Sequence, residues 1–349
     1  MWRSPVTGRG GGRPWKPAHT GNGVNKTNKI VERIEREAGV PGLVSILADR
    51  IPPTDLQSLL LEVYRRRSAR RSAAEVMWSY EADRFVHPSS APPDRLLQWD
   101  RIAFASLPAE FEALALSPVC PLGTSSVVAG VDQNWAVTTA RNSEVVSDST
   151  NVLALECALR RRKLLRADTT SAQPVHLAAS HRLLRPQRYD SAQAVSHFSS
   201  FGLCSAGRDQ GRSRFELDAL GLHIRFYLQA LKSFVGPDPG LRLSITDFLS
   251  GRRDLSIEER LLAPIHAGFT GVECIIDNQR TGGRGYYLDL CFHIHIQAPS
   301  RRQIELVDGG SVDWTQRLLG SAKERLIVSG IGSERLCAEF RGTPGGAVA

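Results

Sequence analysis

Residues 175–231 limit the folds open to this chain more than any other stretch. An apolar run at 175–179 is followed by SHRLLRPQRYDSAQAVSHF at 180–198, then by FGLCSAGRDQGRSRFE, and then by an amphipathic segment at 215–231. The order reads as strand, basic loop, strand, helix. Leu217, Leu220, Ile224, Tyr227, Leu228 and Leu231 recur at helical spacing and define a face that must be buried. Two strands joined by a loop rather than by a helix predict antiparallel pairing, which argues against a doubly wound parallel sheet. Arg182, Arg185, Arg188 and Arg208 crowd this hairpin with His181 and His197. A guanidinium binds phosphate or carboxylate through two parallel hydrogen bonds, so the loop reads as an anion clamp or as a solvated basic loop.

The rest of the chain extends the α+β reading. Residues 1–28 are rich in Gly, Pro, Lys and Arg and are expected to be a disordered basic tail. Residues 29–93 read as a small helical N-terminal region, with short helices at 29–38 and 40–48, a helix after Pro52-Pro53-Thr54-Asp55 capped by Thr54 or Asp55, and another at 72–85. PSSAPP at 88–93 marks a boundary, and 94–349 is expected to form the main domain. Within it, 94–104, 107–116 and 149–162 read as helices, the last capped by Ser149 or Thr150. Strands are expected at 135–139, 241–245, 271–277, 286–296, 304–307 (ending in Asp308-Gly309-Gly310) and 326–329, with a short helix at 314–319. The tail at 342–349 is expected to fray.

Composition narrows the functions. The 349 residues carry a net charge of +8, and no apolar run is long enough to span a bilayer. No apolar leader precedes the chain's first helix, and six scattered cysteines show no CxxC pair, so free thiols in a cytoplasmic protein are expected. RRRSARR at 65–71 is a candidate RNA contact, although a solvated helix end has the same composition. His293 and His295 fall on one face of the strand expected at 286–296. No third ligand accompanies them at a recognisable spacing, so no metal site is assigned. P-loop, GxSxG and HExxH motifs are absent.

Four pieces of sequence, in order, resemble the catalytic domain of class II aminoacyl-tRNA synthetases, most closely histidyl-tRNA synthetase and its paralogue, the regulatory subunit of ATP phosphoribosyltransferase. Val146-Ser147-Asp148-Ser149-Thr150 is similar to the family's LRPE(G/M)T segment. His181-Arg182-Leu183-Leu184-Arg185-Pro186-Gln187 is similar to FRxERPQ of motif 2, with Leu184 at the glutamate position. Gly285-Tyr286-Tyr287 is similar to RGLDYYTG, and Gly330-Ile331-Gly332-Ser333-Glu334-Arg335-Leu336 to motif 3. Asp308-Gly309-Gly310 sits where the family has GGRYD, without its arginine.

The resemblance implies a mostly antiparallel class II synthetase-like sheet flanked by helices. It implies catalytic roles for Arg182 and Arg335 and nucleotide contacts from Arg182, Arg185, Gly330, Gly332 and Arg335. Asp148, Thr150, Tyr286 and Tyr287 would then bind substrate. The implied cofactors are ATP and Mg²⁺, the implied ligand an amino acid or related carboxylate, and the implied assembly a homodimer. About a dozen residues follow motif 3, so an anticodon-binding domain is not expected. Three functions follow: formation of an adenylate for transfer to an acceptor other than tRNA, favoured by the retained arginines; a non-catalytic regulatory or amino-acid-sensing subunit, favoured by Leu184 and the altered YYTG; or an RNA-binding module.

Overall fold

The computed structural model of this chain describes residues 29–83, 85–89, 91–187, 196–249 and 257–341. The expectations for the tails at 1–28 and 342–349, and for Arg188, lie outside the described residues. The first helices are α1 (Lys29–Ala38), α2 (Leu43–Ser45), α3 (Pro53–Ser68) and α4 (Ala73–Ala82). None of them contains a buried residue. Helix α5 (Pro93–Ala105) is the first to bury side chains, Trp99, Ile102 and Ala103. Then follow β1 (Phe111–Ala113), β2 (Val119–Pro121), β3 (Ser143–Val145), α6 (Ser149–Ala167), β4 (Val175–Leu184), β5 (His197–Arg208) and α7 (Arg214–Val235). The remaining elements are β6 (Leu241–Asp247), α8 (Ala263–Gly268), β7 (Glu273–Ile276), β8 (Leu290–Gln297), β9 (Gln303–Val312), α9 (Trp314–Leu319), β10 (Glu324–Gly332) and α10 (Ser333–Glu339).

Eight strands form one sheet in the order β1-β4-β5-β10-β9-β8-β6-β7, and β2 pairs with β3 separately. The six inner strands are antiparallel throughout. Only the edges are parallel, β1 on β4 and β7 on β6. Alternation along the strands gives the sheet two different faces. One face carries Ala178, Phe201, Leu203, Phe292, Ile327 and Ile331 and packs against α5 and α7. Phe201 stacks on Phe226 with ring centroids 5.4 Å apart, and Trp99 meets Phe234 edge-on at 5.5 Å. The six α7 residues that predicted the helix are all fully buried here.

The opposite face carries Leu177, Ala179, Cys204, Ala206 and Val328 against Leu153, Ala154 and Cys157 of α6. Helix α6 is also tied to the sheet by a fully buried ion pair: Arg161 donates Nε to Glu324 Oε2 at 2.8 Å and Nη2 to Glu324 Oε1 at 2.9 Å. Its remaining donors reach the carbonyls of Gln173 and Ser171. Complete pairing of this kind is what permits a charge to sit inside the protein.

Several local expectations are corrected. Residues 107–116 are not a helix. Phe111–Ala113 pairs in parallel with His176, Leu177 and Ala178 of β4, because an open sheet edge supplies the partners that a short helix would otherwise supply itself. The strand expected at 135–139 is instead a 3₁₀ turn at Gln133–Trp135, with a lone bridge from Thr138 to Glu144. Residues 40–48 break into α2 and a π turn at Ile46–Arg50. Pro52 occupies the cap of α3, with Pro53 in its first turn and no side-chain cap. The strand expected from Tyr286 begins at Leu290, and the strand expected to end at Asp308-Gly309-Gly310 runs on to Val312. A register shift between Ile294 and His295 separates the two histidines: His293 is fully buried and His295 is not.

Candidate functional site

Several of the expected site residues lie on the α6 face. Ser149 begins α6 because Asp148 before it is extended and caps the helix: its Oδ1 accepts from Thr150 N at 3.0 Å and from Thr150 Oγ1 at 2.8 Å. The cap is therefore Asp148, in place of Ser149 or Thr150. The other carboxylate oxygen of Asp148 receives Arg185 Nη2 at 3.1 Å, and both side chains are buried. Arg185 also donates Nε to Ser147 O at 2.9 Å and stacks over the Phe198 ring at 5.1 Å. The segment before the cap is held from behind by Glu144. Its carboxylate accepts from Gly123 N, Ser125 N and Gln133 Nε2 at 3.0, 2.7 and 2.7 Å. Burial works to raise the Glu144 pKa, and these donors nevertheless hold it below the ordinary carboxylate value.

Arg182 lies on the other side of the same strand and has the opposite character. It is 43% exposed in its side chain, pairs with Glu334 Oε1 of α10 at 2.6 Å, and bonds to His197 Nδ1 at 2.8 Å. Glu334 also accepts from Ser89 Oγ. Because β4 alternates, Leu183 and Arg185 share the buried α6 side and Arg182 takes the opposite one. Arg335 is exposed on α10, one turn beyond Gly332.

Tyr286 and Tyr287 are positioned by a tight turn. Gly283 and Gly285 have φ of +82° and +88°, a region that side chains with a Cβ rarely adopt, and both tyrosine amides donate to Gly283 O. The two rings meet edge-on at 4.9 Å, and Tyr286 abuts Trp314 at 5.9 Å. Tyr287 also lies over Gly310, where a Cβ would come within 2.6 Å of its ring. Burial pushes both hydroxyls well above the ordinary tyrosine range, and the Asp308 charge adds to this, so both are proton donors at neutral pH. Arg284, beside the turn, stacks over Phe248 at 5.1 Å.

The floor between these groups is one row across five strands: Ala179, Gly202, Gly330, Asp308 and His293 stand opposite one another in register. The first three carry at most a methyl. The Cβ that Gly202 lacks would stand 2.5 Å from Ser149 Oγ, so this glycine is what lets the start of α6 settle onto β5. The last two form a buried pair with His293 Nε2 2.7 Å from Asp308 Oδ1. The sequence offers His293 as a possible metal ligand and Asp308 as a strand end at the family's GGRYD position, with nothing that pairs the two. The one signal available was an acidic residue inside an apolar strand run, LVDGG. Cys204 and Cys291 share this face. Burial raises the Cys204 thiol well above its usual value and pushes Cys291 up to about 12, so neither is a thiolate nucleophile.

Arg185, Asp148, Thr150, Tyr286 and Tyr287 thus lie on the α6 face, with Gly330 and Gly332 in the sheet beneath, while Arg182 emerges on the opposite face beside Glu334. The guanidiniums of Arg182 and Arg185 already meet carboxylates of the protein, so they do not form an open cationic cradle for a nucleotide's phosphates. Among the described residues no three His, Cys, Asp or Glu side chains converge as a metal site. A separate cavity of about 650 Å³, lined by Asp209, Glu216, Asp289, Ser311 and Arg325, contains none of the expected site residues. The basic segment at 65–71 is partly engaged: Arg65 and Arg66 each pair with Glu62 at 2.7 Å, and Arg71 bonds to Ser79 Oγ and Glu75 O.

No known family profile matches this chain, and no curated protein matches it in sequence. Solved structures do. An ATP phosphoribosyltransferase regulatory subunit/histidyl-tRNA synthetase from Bacillus halodurans C superposes with a TM-score of 0.54 at 12% identity, over 74% of this chain and 83% of that one. The apo histidyl-tRNA synthetase of S. aureus superposes with a TM-score of 0.50 at 15% identity, over 73% of this chain and 70% of that one. Such low identities speak for the backbone and not for the chemistry. No helix among the described residues is long and apolar enough to cross a membrane. With its antiparallel sheet, its paired helical layers and these structural neighbours, the chain has a class II aminoacyl-tRNA synthetase-like fold.

Proposed function

We propose that this chain is a non-catalytic, amino-acid-binding subunit of the regulatory type. The observation that carries this reading is the internal neutralisation of the two arginines of the motif 2 segment, Arg185 by Asp148 and Arg182 by Glu334. Adenylate formation needs free positive charge where a phosphorane develops. A binding cleft needs only fixed dipoles and a few oriented charges on a rigid floor. Leu184 in place of the motif 2 glutamate agrees with loss of the chemistry and retention of the fold. The Bacillus halodurans C protein with a similar backbone is an ATP phosphoribosyltransferase regulatory subunit/histidyl-tRNA synthetase. By that likeness we also infer that the chain works in an assembly, as a homodimer or with a partner enzyme. Sedimentation of the purified protein would read the stoichiometry.

A second reading keeps the enzyme. Arg182 is 43% exposed in its side chain, so a triphosphate can reach it by displacing the buried Glu334 carboxylate. Exposed Arg335 would then meet the far end of the nucleotide, and ATP with Mg²⁺ would supply the phosphoryl chemistry when bound. One pair of measurements separates the readings. Titration calorimetry with the proteinogenic L-amino acids, taken singly, is expected to show binding of at least one. ATP–pyrophosphate exchange with the same amino acids is expected to stay at background. Exchange above background that is lost in Arg182→Ala would replace the regulatory reading with the enzyme.

A further inference from the structure

A polar row crosses the α7 face between large apolar side chains. His176 of β4, Ser205 of β5, His223 and Tyr227 of α7, and Ser329 of β10 are joined end to end. His176 Nδ1 is 2.7 Å from Ser205 Oγ, and Ser205 Oγ is 2.8 Å from His223 Nε2. His223 Nδ1 is 2.7 Å from Ser329 Oγ, which is 3.1 Å from the Tyr227 hydroxyl. Ser205, His223 and Tyr227 are fully buried and Ser329 is 3% exposed, whereas His176 is half-buried at the end of the row. Beyond these four contacts, none of the five side chains has a hydrogen-bond partner among the described residues.

Counting hydrogens fixes the direction of the row. Each contact takes one hydrogen, and each neutral group supplies one. In the first order every hydrogen points toward His176. Tyr227 donates to Ser329, Ser329 to His223 Nδ1, His223 Nε2–H to Ser205, and Ser205 to His176 Nδ1. All four contacts are made, and the hydrogen of His176 sits on Nε2, outside the row. In the reverse order His176 Nδ1–H donates inward and Tyr227 accepts from Ser329. The Tyr227 hydrogen then has no acceptor in a fully buried site, which disfavours this order by roughly 5- to 150-fold. The neutral row therefore takes the first order. A protonated His176 carries hydrogens on both nitrogens and can only donate to Ser205, so it requires the reverse.

We propose that this row is a proton-driven switch: uptake of a proton by His176 reverses the hydrogen order through Ser205, His223 and Ser329 and leaves the Tyr227 hydroxyl hydrogen without an acceptor. The balance is one proton taken from solvent. His176 goes from one ring hydrogen to two, His223 exchanges Nε2–H for Nδ1–H, and the three hydroxyls keep their hydrogens and turn. Burial holds the His176 pKa below the ordinary value, against the charge of Glu110 just before β1, which favours the proton. Phe111 of β1 packs on both imidazoles, at 5.2 and 5.6 Å, and brings no charge. Burial holds fully buried His223 well below the ordinary range, so the proton enters at His176. At the other end burial keeps the Tyr227 hydroxyl protonated, and Cys204, Asp148 and Asp308, on the α6 side of the strands, add to this. The switch lies on the α7 face and stands apart from the amino-acid-binding reading.

The test is a titration of the full chain, labelled with nitrogen-15 in histidine, between about pH 8 and about pH 5. The imidazole nitrogen shifts distinguish Nδ1–H from Nε2–H, and the signals lost in His176→Gln and His223→Gln assign the two rings. At the upper end His223 is expected as the Nε2–H tautomer. As His176 takes its proton, His223 is expected to become the Nδ1–H tautomer with the same midpoint. Ser205→Ala cuts the row between the rings, so His176 should still titrate and His223 should no longer follow. A His223 that keeps one tautomer while His176 titrates, or that changes at a different midpoint, would overturn the proposal. So would a His176 that takes up no proton before the chain unfolds, or a His223 that still follows His176 in Ser205→Ala. If Ser205→Ala does not fold, the two midpoints in the unaltered chain decide.

Discussion

The two faces of the central sheet solve different problems with the same strands. Along β5, Phe201 and Leu203 point to α7 and meet aromatic rings, while Gly202, Cys204 and Ala206 point to α6. Along β10, Ile327 and Ile331 serve the first face, and Val328 and Gly330 the second. The α7 face is filled by large apolar side chains and has few ways to fail other than by losing volume. The α6 face is built from small residues, with charges at fixed positions that must each find a partner: Arg161 with Glu324, Arg185 with Asp148, His293 with Asp308. A sheet that supports a binding site cannot pack both faces to the same recipe. Polar groups on the α6 face stay buried only while paired.

Substitutions can break this contrast. The largest effect is expected on the α7 face: Phe226→Ala removes a ring stacked on Phe201 and touching Tyr227, and should cost about 3–5 kcal/mol by denaturant unfolding. Ligand affinity of the folded fraction should not change. A comparable cost, about 3 kcal/mol or more, is expected for Arg185→Ala, which removes a buried guanidinium from Asp148. Here ligand affinity should fall as well. If the Arg185 variant kept full affinity, the division of labour between the faces would be wrong. Gly202→Ala comes next. Its methyl would meet Ser149 Oγ at 2.5 Å, and the resulting shift of α6 should cost about 1–3 kcal/mol.

A pH series tests the same contrast more gently. His223 is fully buried between Ser205 Oγ and Ser329 Oγ, with Phe111 and His176 also against it, and burial holds its pKa well below the ordinary value of 6.5. The folded ring stays neutral while the unfolded ring takes up a proton. Stability from this group is therefore complete above pH 6.5 and is lost as pH falls below it, by up to about 1.4 kcal/mol per pH unit. His223→Gln should flatten that part of the stability curve. The smallest effect is expected outside both faces. Trp78 on α4 is 69% exposed, and Trp78→Ala should change stability by no more than about 0.5 kcal/mol. A larger loss, measured at increasing protein concentration, would show that another copy covers it.

How much of this was legible beforehand follows from range. Helix α7 was readable because its apolar positions repeat within a few residues. So were most inner strands, and the order of four short motifs was enough to point to the fold. The segment at 107–116 was misread because its periodicity served both states and only the free edge of β4 decided between them. The side on which Arg182 and Arg185 emerge also depended on register, since a one-residue offset exchanges faces. Asp308 stayed hidden for a similar reason: as a residue in sequence it is one acid in an apolar run, and only pairing across β8 and β10 sets it beside His293 and Gly330.

The sequence by itself determined α7, most of the inner strands with their antiparallel pairing, and the residue types able to bind an anion, because those depend on local periodicity and residue chemistry. Only the tertiary structure decided which charges neutralise one another. Arg185 with Asp148 and Arg182 with Glu334 are contacts between segments tens to more than a hundred residues apart, and a charge's role is set by the partner that folding brings to it.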